Sequence, residues 1–388
     1  MQFAWKNLND KKFKGEKIVD MDSLREANIR VPWARPYFSQ EEARNISKTV
    51  ETGWLSQGDN VIKFEQQVGK IIDSEFSIAV SSGTAALDVA LKLMKIMPGD
   101  EIIVPAFSYI ATLNCVLYQG ATPVFVDVRS DTFNIDVDLI SKQLTSATKG
   151  IIAIDYAGQA ANWAELRKLA TEHGMFLIED AAPALGGSYH DKALGTLGDI
   201  GITSFHTAKN FTSVEGGMIF TSNPEFEKRA RMIRSHGESF ITKYSHEEVG
   251  HNYRMSDLHA AVGLAQVSRF KEVIASRRRA AEFYTKELQK VEEITVPEIL
   301  QGNDHAWFLY PILVENRDLV REKLTNLGIQ TNVSWPFAAY QQPHLAKYKT
   351  TTCGVTEDVC KKVLCLPMFF GITDNELNLV VSAIRKII

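Results

Sequence analysis

The stretch Ser204 to Gly217, SFHTAKNFTSVEGG, places a single lysine, Lys209, between the strand-like run GITSFH and a polar segment closed by glycine. A lysine at the end of a buried strand must shed water. Desolvation disfavours its charged form and leaves a better nucleophile. That is the chemistry a Schiff base needs. Taken alone, a strand-end lysine more often snorkels to solvent, so its meaning depends on what else the chain brings to it.

Four other groups bear on it. SSGTAALDVALKLM follows the apolar SIAV, so its small polar residues stand where a helix begins. Backbone N–H groups there, with the hydroxyls of Ser82 and Thr84, suit a phosphate, although a plain N-cap fits the same residues. MFLIEDAAPALG ends a strand on Glu179 and Asp180. Ligands of parallel sheets bind at the carboxyl ends of strands, so at least one of these acids is expected to face the crevice. There it could hold a protonated ring nitrogen; the alternative is a carboxylate that complements a helix dipole. Tyr109, after VPAFS, offers an aromatic face, a residue type equally at home in a core. His206 shares a strand face with Ser204 if alternation continues, either lining the site or serving as a hydrogen-bonded structural histidine.

Several chemistries are disfavoured. No GxGxxG or GxxxxGK[ST] occurs, and neither the nine histidines nor the four cysteines show metal-ligand spacing. A net charge of −4 gives no case for nucleic acid or an anionic membrane. Residues 102–126 carry no formal charge, but Pro105, Asn114, Gln119, Gly120 and Pro123 interrupt them, so strand, helix and strand are expected instead of a membrane span. The run Arg277 to Arg279 could grip a diphosphate, but solvated helix charge is expected. The amino terminus mixes charge signs and lacks the apolar stretch of a signal peptide, which points to a cytoplasmic protein.

The elements that must position these residues alternate. EIIVPAF, TPVFVDV, GIIAIDY and MFLIEDAA are continuous apolar runs of the kind buried on both faces of a mostly parallel sheet, and IGITSFH and GGMIFTS continue it past the lysine. Amphipathic segments lie between them, including DVDLISKQLTSA and NWAELRKLATEHG, the second closed by Gly174. With 388 residues, 45% hydrophobic and 23% charged, two domains are expected. The predicted divisions are an extension over 1–30, a large α/β domain over 31–275 and a smaller α+β domain over 276–388, with a long helical region across roughly 257–292 between them.

In chain order, a phosphate cradle, an aromatic, an acid and a lysine each close a predicted strand. Together with GWLSQG, VPAFSYIAT, PVFVDV and GHNYRMSDLHAAVGLAQ, they make the chain resemble the DegT/DnrJ/StrS sugar aminotransferases, from about residue 31 to the end. The resemblance implies fold type I: a large domain with a mostly parallel mixed sheet sandwiched by helices, plus the smaller carboxyl-terminal domain. It implies pyridoxal 5′-phosphate held as a Schiff base on Lys209, with Asp180 at the ring nitrogen, Tyr109 stacked on the ring, and Gly83, Thr84 and Ser204 at the phosphate. Asn252 would reach that phosphate from the neighbouring subunit of a homodimer, with Arg254 a candidate for the same interface. The implied substrates are L-glutamate and a keto sugar, nucleotide-linked or, alternatively, a free keto sugar or keto-cyclitol; a non-catalytic cofactor-binding protein is the rival of another class. Two departures from the family pattern are Pro183, where many members carry a hydrogen-bonding side chain, and Val214, where a glycine is frequent.

Overall fold

The computed structural model describes residues 29–388; residues 1–28 of the expected extension lie outside the described residues. Ser39 opens helix α1 (Gln40–Thr52) with a capping box completed by Glu42, and α2 (Asp59–Ile72) follows. Seven strands then build the main sheet: β1 (Phe76–Val80), β2 (Glu101–Pro105), β3 (Thr122–Val126), β4 (Thr148–Ile154), β5 (Phe176–Asp180), β6 (Ile200–Ser204) and β7 (Gly217–Thr221). Their order is β1-β7-β6-β5-β4-β2-β3. Neighbours are parallel from β3 through β6, and β7 runs antiparallel to both β6 and β1. Strands of this kind read as continuous apolar runs because helices cover both faces of the sheet: Ile78, Val104, Phe125 and Ile152 pack into one buried cluster, Ile103, Val126, Ile151 and Leu177 into another.

The connecting helices relevant to the site are α3 (Gly83–Leu93), α4 (Ile110–Tyr118), α5 (Trp163–His173) and α6 (Pro224–Arg234). The sequence places α5 correctly, with Gly174 as its left-handed cap at φ 62°. It overstates the segment 136–147, which makes only the turn Val137–Ile140 and a 3₁₀ turn before the chain becomes extended at Leu144. The long helical region is two helices, α7 (Asp257–Ser268) and α8 (Phe270–Leu288), broken at Arg269, whose guanidinium ion-pairs with Glu42 on α1.

Residue 275 falls inside α8, which serves two cores. Val273 and Ile274 pack with Phe205 and Phe211 of the large layer, whereas Ala280, Ala281, Tyr284 and Leu288 pack against a second sheet. That sheet has the order β8 (Ile294–Thr295), β9 (Tyr310–Val314), β10 (Val363–Leu366), all antiparallel, and packs with residues of α9 (Arg317–Asn326) and α10 (Asp374–Ile387). The expected solvated arginine run is corrected here: Arg278 and Arg279 reach surface acids, but Arg277 is buried. Its position falls on the stripe 273, 274, 277, 280, 281, 284, 288, the inward face of the helix. No described helix is long and apolar enough to cross a membrane.

Candidate active site

Strands β5 and β6 end beside one another, and a cavity of about 490 Å³ opens where they do, lined by Asp180, Ser204 and Lys209 among others. β6 stops at Ser204, so Lys209 lies in the turn beyond the strand and not at its end; its N–H donates to the His206 carbonyl at 2.8 Å. Burial pushes the amine down to about 8, while Asp180 pulls the other way. This leaves about a tenth of the amine neutral at pH 7, far more than an ordinary lysine has, as a nucleophilic lysine requires.

Asp180 is buried beneath the cavity. Its Oδ1 accepts from the Ala182 N–H at 3.1 Å and its Oδ2 from the Thr112 hydroxyl at 2.9 Å. Burial raises its pKa; those two donors and the Lys209 charge oppose the rise. Glu179, by contrast, is turned away and accepts from the N–H groups of Gly195, Leu197 and Gly198 at 2.5, 2.6 and 3.2 Å. Of the two adjacent acids, only Asp180 lines the cavity.

Ser82, Gly83 and Thr84 line the same cavity at the start of α3. The Ser82 hydroxyl acts as N-cap, accepting from Ala85 N–H at 3.1 Å. The first-turn amides of Gly83 and Thr84 have no partner one turn earlier in the helix, and they carry its positive end. The space is kept by glycine: a Cβ on Gly83 would stand 2.9 Å from the Ser204 Cβ, and one on Gly217 would stand 2.3 Å from the Ser82 carbonyl oxygen. Such a cradle of open amides and hydroxyls fits a phosphate dianion, and a buried carboxylate with a desolvated lysine fits a pyridine aldehyde beside it.

Tyr109 is the N-cap residue of α4 and, 59% exposed, stands in the cavity wall with its ring available. His206 also lines the cavity; its Nδ1 accepts from Ala208 N–H at 3.2 Å, and its Nε2 lies 3.8 Å from Glu215. Pro183 is in the wall and contributes no hydrogen bond, and Val214, just before Glu215, adopts φ 72°. Asn252 and Arg254 are not brought to this cavity; Asn252 is exposed, in a bridge with Ser235.

Sequence reasoning missed several wall residues. Thr112 had a local signal, since it lies three residues after Tyr109 on the first turn of α4. Trp33, Tyr156, Phe308 and Trp335 had none, because they come from segments far apart in the chain. The Phe308 ring stands over Lys209, its centroid 4.5 Å from Nζ.

The chain resembles known proteins along most of its length. The model of the DegT/DnrJ/EryC1/StrS aminotransferase family matches residues 36–385. GDP-perosamine synthase of Caulobacter vibrioides is 34% identical, over 92% of this chain and 98% of its own. The UDP-N-acetyl-3-dehydro-alpha-D-glucosamine 3-aminotransferase of Acidithiobacillus ferrooxidans is also 34% identical, over 88% and 92%. Among solved structures, the PLP-form of a putative sugar aminotransferase from Streptococcus pneumoniae superposes with TM-score 0.87 at 25% identity, covering 92% of this chain and 99% of that one.

Proposed function

This chain belongs to the DegT/DnrJ/EryC1/StrS aminotransferase family, and from that premise we propose that it uses pyridoxal 5′-phosphate to move an amino group from L-glutamate to the ketone of a nucleotide-linked sugar or deoxysugar. The observation that carries the proposal is the meeting of Lys209, Asp180 and the open amino terminus of α3 at one cavity. When bound, the cofactor supplies an electron sink for the bond-making carbon.

The protein's own groups do the rest. Lys209 would hold the cofactor's aldehyde through Nζ, and the same nitrogen, when free, would move the proton in the transfer. Asp180 holds a proton on the ring nitrogen, and Thr112 fixes the carboxylate from the other side. Gly83, Thr84 and Ser204 take the phosphate, and Tyr109 covers one ring face.

We infer a homodimer with shared sites. No arginine is among the described residues lining the cavity, so the anionic parts of both substrates need positive charge from elsewhere. Asn252 and Arg254 lie outside their own chain's cavity, as residues serving a partner's site would. The neighbouring loop exposes Phe240, Ile241, Tyr244 and Val249, Ile241 by 91%, an apolar patch suited to burial against a second copy.

The two half-reactions test the proposal. L-glutamate alone is expected to remove the visible absorbance of the yellow protein and release 2-oxoglutarate. The colour should return with a nucleotide-linked 3-keto or 4-keto sugar. Return with unlinked keto sugars or keto-cyclitols alone would move the substrate class to those compounds. Persistence of the yellow colour with every amino donor would remove the glutamate half-reaction and leave a cofactor-binding protein.

A further inference from the structure

Arg277 is 5% exposed, and no carboxylate among the described residues pairs with it. Its Nη1 donates instead to three carbonyls: Trp307 at 3.0 Å, Phe308 at 3.2 Å and Met368 at 3.3 Å. A buried guanidinium without an anion is costly, and a leucine or methionine would fill the same inward stripe of α8 without that cost. Its partners suggest what it contributes.

Trp307 and Phe308 belong to a strap, residues 305–309, that crosses from the small sheet to the cavity. The strap is tied on several sides. Ala306 N–H donates to Gly158 O at 2.8 Å, Phe308 N–H to Ala157 O at 2.8 Å, and Asn210 Nδ2 to Ala306 O at 3.0 Å. The backbone is strained where it turns, with Trp307 at φ 51° and Ala157 at φ 58°. This strap presents Phe308 to Lys209, ring face towards Nζ.

We propose that Arg277 is a positioning residue for the Lys209 amine: it clamps the carbonyls of residues 307 and 308 so that the Phe308 ring face covers Nζ. The inference rests on Lys209 being the reacting amine. An aromatic face attracts the ammonium form, and so offsets part of the desolvation that the cavity imposes. The other titratable groups lining the cavity around Lys209 are Asp180 on β5, His206 and Glu215 on the segment between β6 and β7, Tyr109 at the start of α4, and Tyr156. Of these, Asp180 supplies the opposing charge. Phe308 therefore acts in the same direction as Asp180, favouring the ammonium form, and Arg277 acts on it through the backbone.

The test uses the full-length chain freed of bound aldehyde and reads the rate at which formaldehyde and cyanoborohydride methylate Lys209, by peptide mass spectrometry from pH 6 to 10. This readout needs neither substrate nor turnover, so it stands apart from failure of the aminotransfer proposal. Phe308→Leu removes the ring face and should raise labelling at pH 7 about three- to tenfold, moving the midpoint of the profile to lower pH. Phe308→Trp keeps a face and should label as the native chain does. Arg277→Met should move the profile in the same direction as Phe308→Leu, and Arg277→Lys, which keeps a donor and is the variant to rely on if methionine prevents folding, should move it less. A Phe308→Leu profile that superposes on the native one would overturn the proposal. So would Arg277 variants that melt at lower temperature with Lys209 labelling unchanged, because Arg277 would then serve stability alone.

Discussion

Glu179 and Asp180 are consecutive residues on β5 that serve opposite faces of the sheet: Asp180 lines the cavity with Lys209, and Glu179 fastens the backbone amides of residues 195, 197 and 198. Strand alternation forces the division. Asp180→Asn should fold with a near-native melting temperature and lose at least about a hundredfold in turnover, since a neutral amide cannot hold the ring-nitrogen proton. Glu179→Gln should do the reverse, costing roughly 2–4 kcal/mol of stability because an amide turns one donor towards donors. Paired melting and rate measurements on both variants decide it, and a crippled but stable Glu179→Gln would reverse the roles.

Beneath Glu179 lies a second buried acid. Asp155 Oδ1 accepts from Ala161 N–H and from Trp163 Nε1, each at 2.9 Å, while its Oδ2 has no partner among the described residues. Burial, and then the Glu179 charge, raise its pKa well above the carboxylate range. Burial raises the Glu179 pKa too, but its contact with Asp155 and its three amide donors oppose that rise, so the proton of the pair resides on Asp155. The sign of the linkage follows. A raised folded pKa gives a contribution that is complete below the unfolded pKa, near 4, and that fades as pH climbs through the raised value. Asp155→Asn makes the donor permanent. Its melting temperature should match the native one near pH 4, exceed it by about 2–4 °C at pH 8, and depend less on pH between them.

Lys209 has the opposite linkage. Its folded pKa, about 8, lies below the usual lysine value, so its contribution is complete above that usual value and is lost as pH falls through 8. At pH 7 the cofactor-free protein carries a desolvated cation. Lys209→Met should therefore stabilise the cofactor-free chain by roughly 1–3 kcal/mol at pH 7, discounted for solvent that reaches the half-buried side chain. It should gain little at pH 10. Turnover should fall by orders of magnitude with loss of visible absorbance. A stable yellow variant whose colour survives as a borohydride-reducible linkage would assign the Schiff base to another lysine.

The sheet and the centre of the site were legible because they rest on local pattern. β2 to β7 are apolar runs of five to seven residues; SSGTAAL follows β1, IED closes β5 and TAKN lies in the turn just beyond β6. The walls were not legible. Phe308 meets Lys209 across 99 positions of chain, and no periodicity encodes that. Arg277 misled for a different reason: three arginines in a row read as charge, whereas the helical period puts the first of them in the core stripe of α8. Residues 136–147 show the opposite failure, with helical periodicity present but only one turn formed.

Val214 sits at φ 72°, where a β-branched residue is strained. Thr212 Oγ1 accepts its N–H at 2.8 Å, and its own carbonyl accepts the Thr207 hydroxyl at 3.0 Å, so the loop imposes the conformation. Val214→Gly should raise stability by about 1 kcal/mol through relief of that strain, less the entropy glycine adds to the unfolded chain. Thermal melting checks it, and a destabilised variant would mean that Val214 packing outweighs its backbone.

The shared-site dimer makes a prediction by complementation. Lys209→Ala and Asn252→Ala chains should each be weak alone, the first without the reacting amine and the second with poor cofactor retention. Unfolded together, refolded and allowed to pair at random, half the dimers contain one chain of each kind. If Asn252 serves the partner's cavity, one site in each mixed dimer combines an intact Lys209 from one chain with an intact Asn252 from the other, and the opposite site carries both lesions. Activity should then return to roughly a quarter of the native value, the share of sites restored under two-fold symmetry. If Asn252 acted within its own chain, every site would keep exactly one lesion, and mixing would add nothing to the average of the two variants. Measuring turnover against mixing ratio separates the cases, because restoration in trans peaks at equal amounts while the alternative varies linearly.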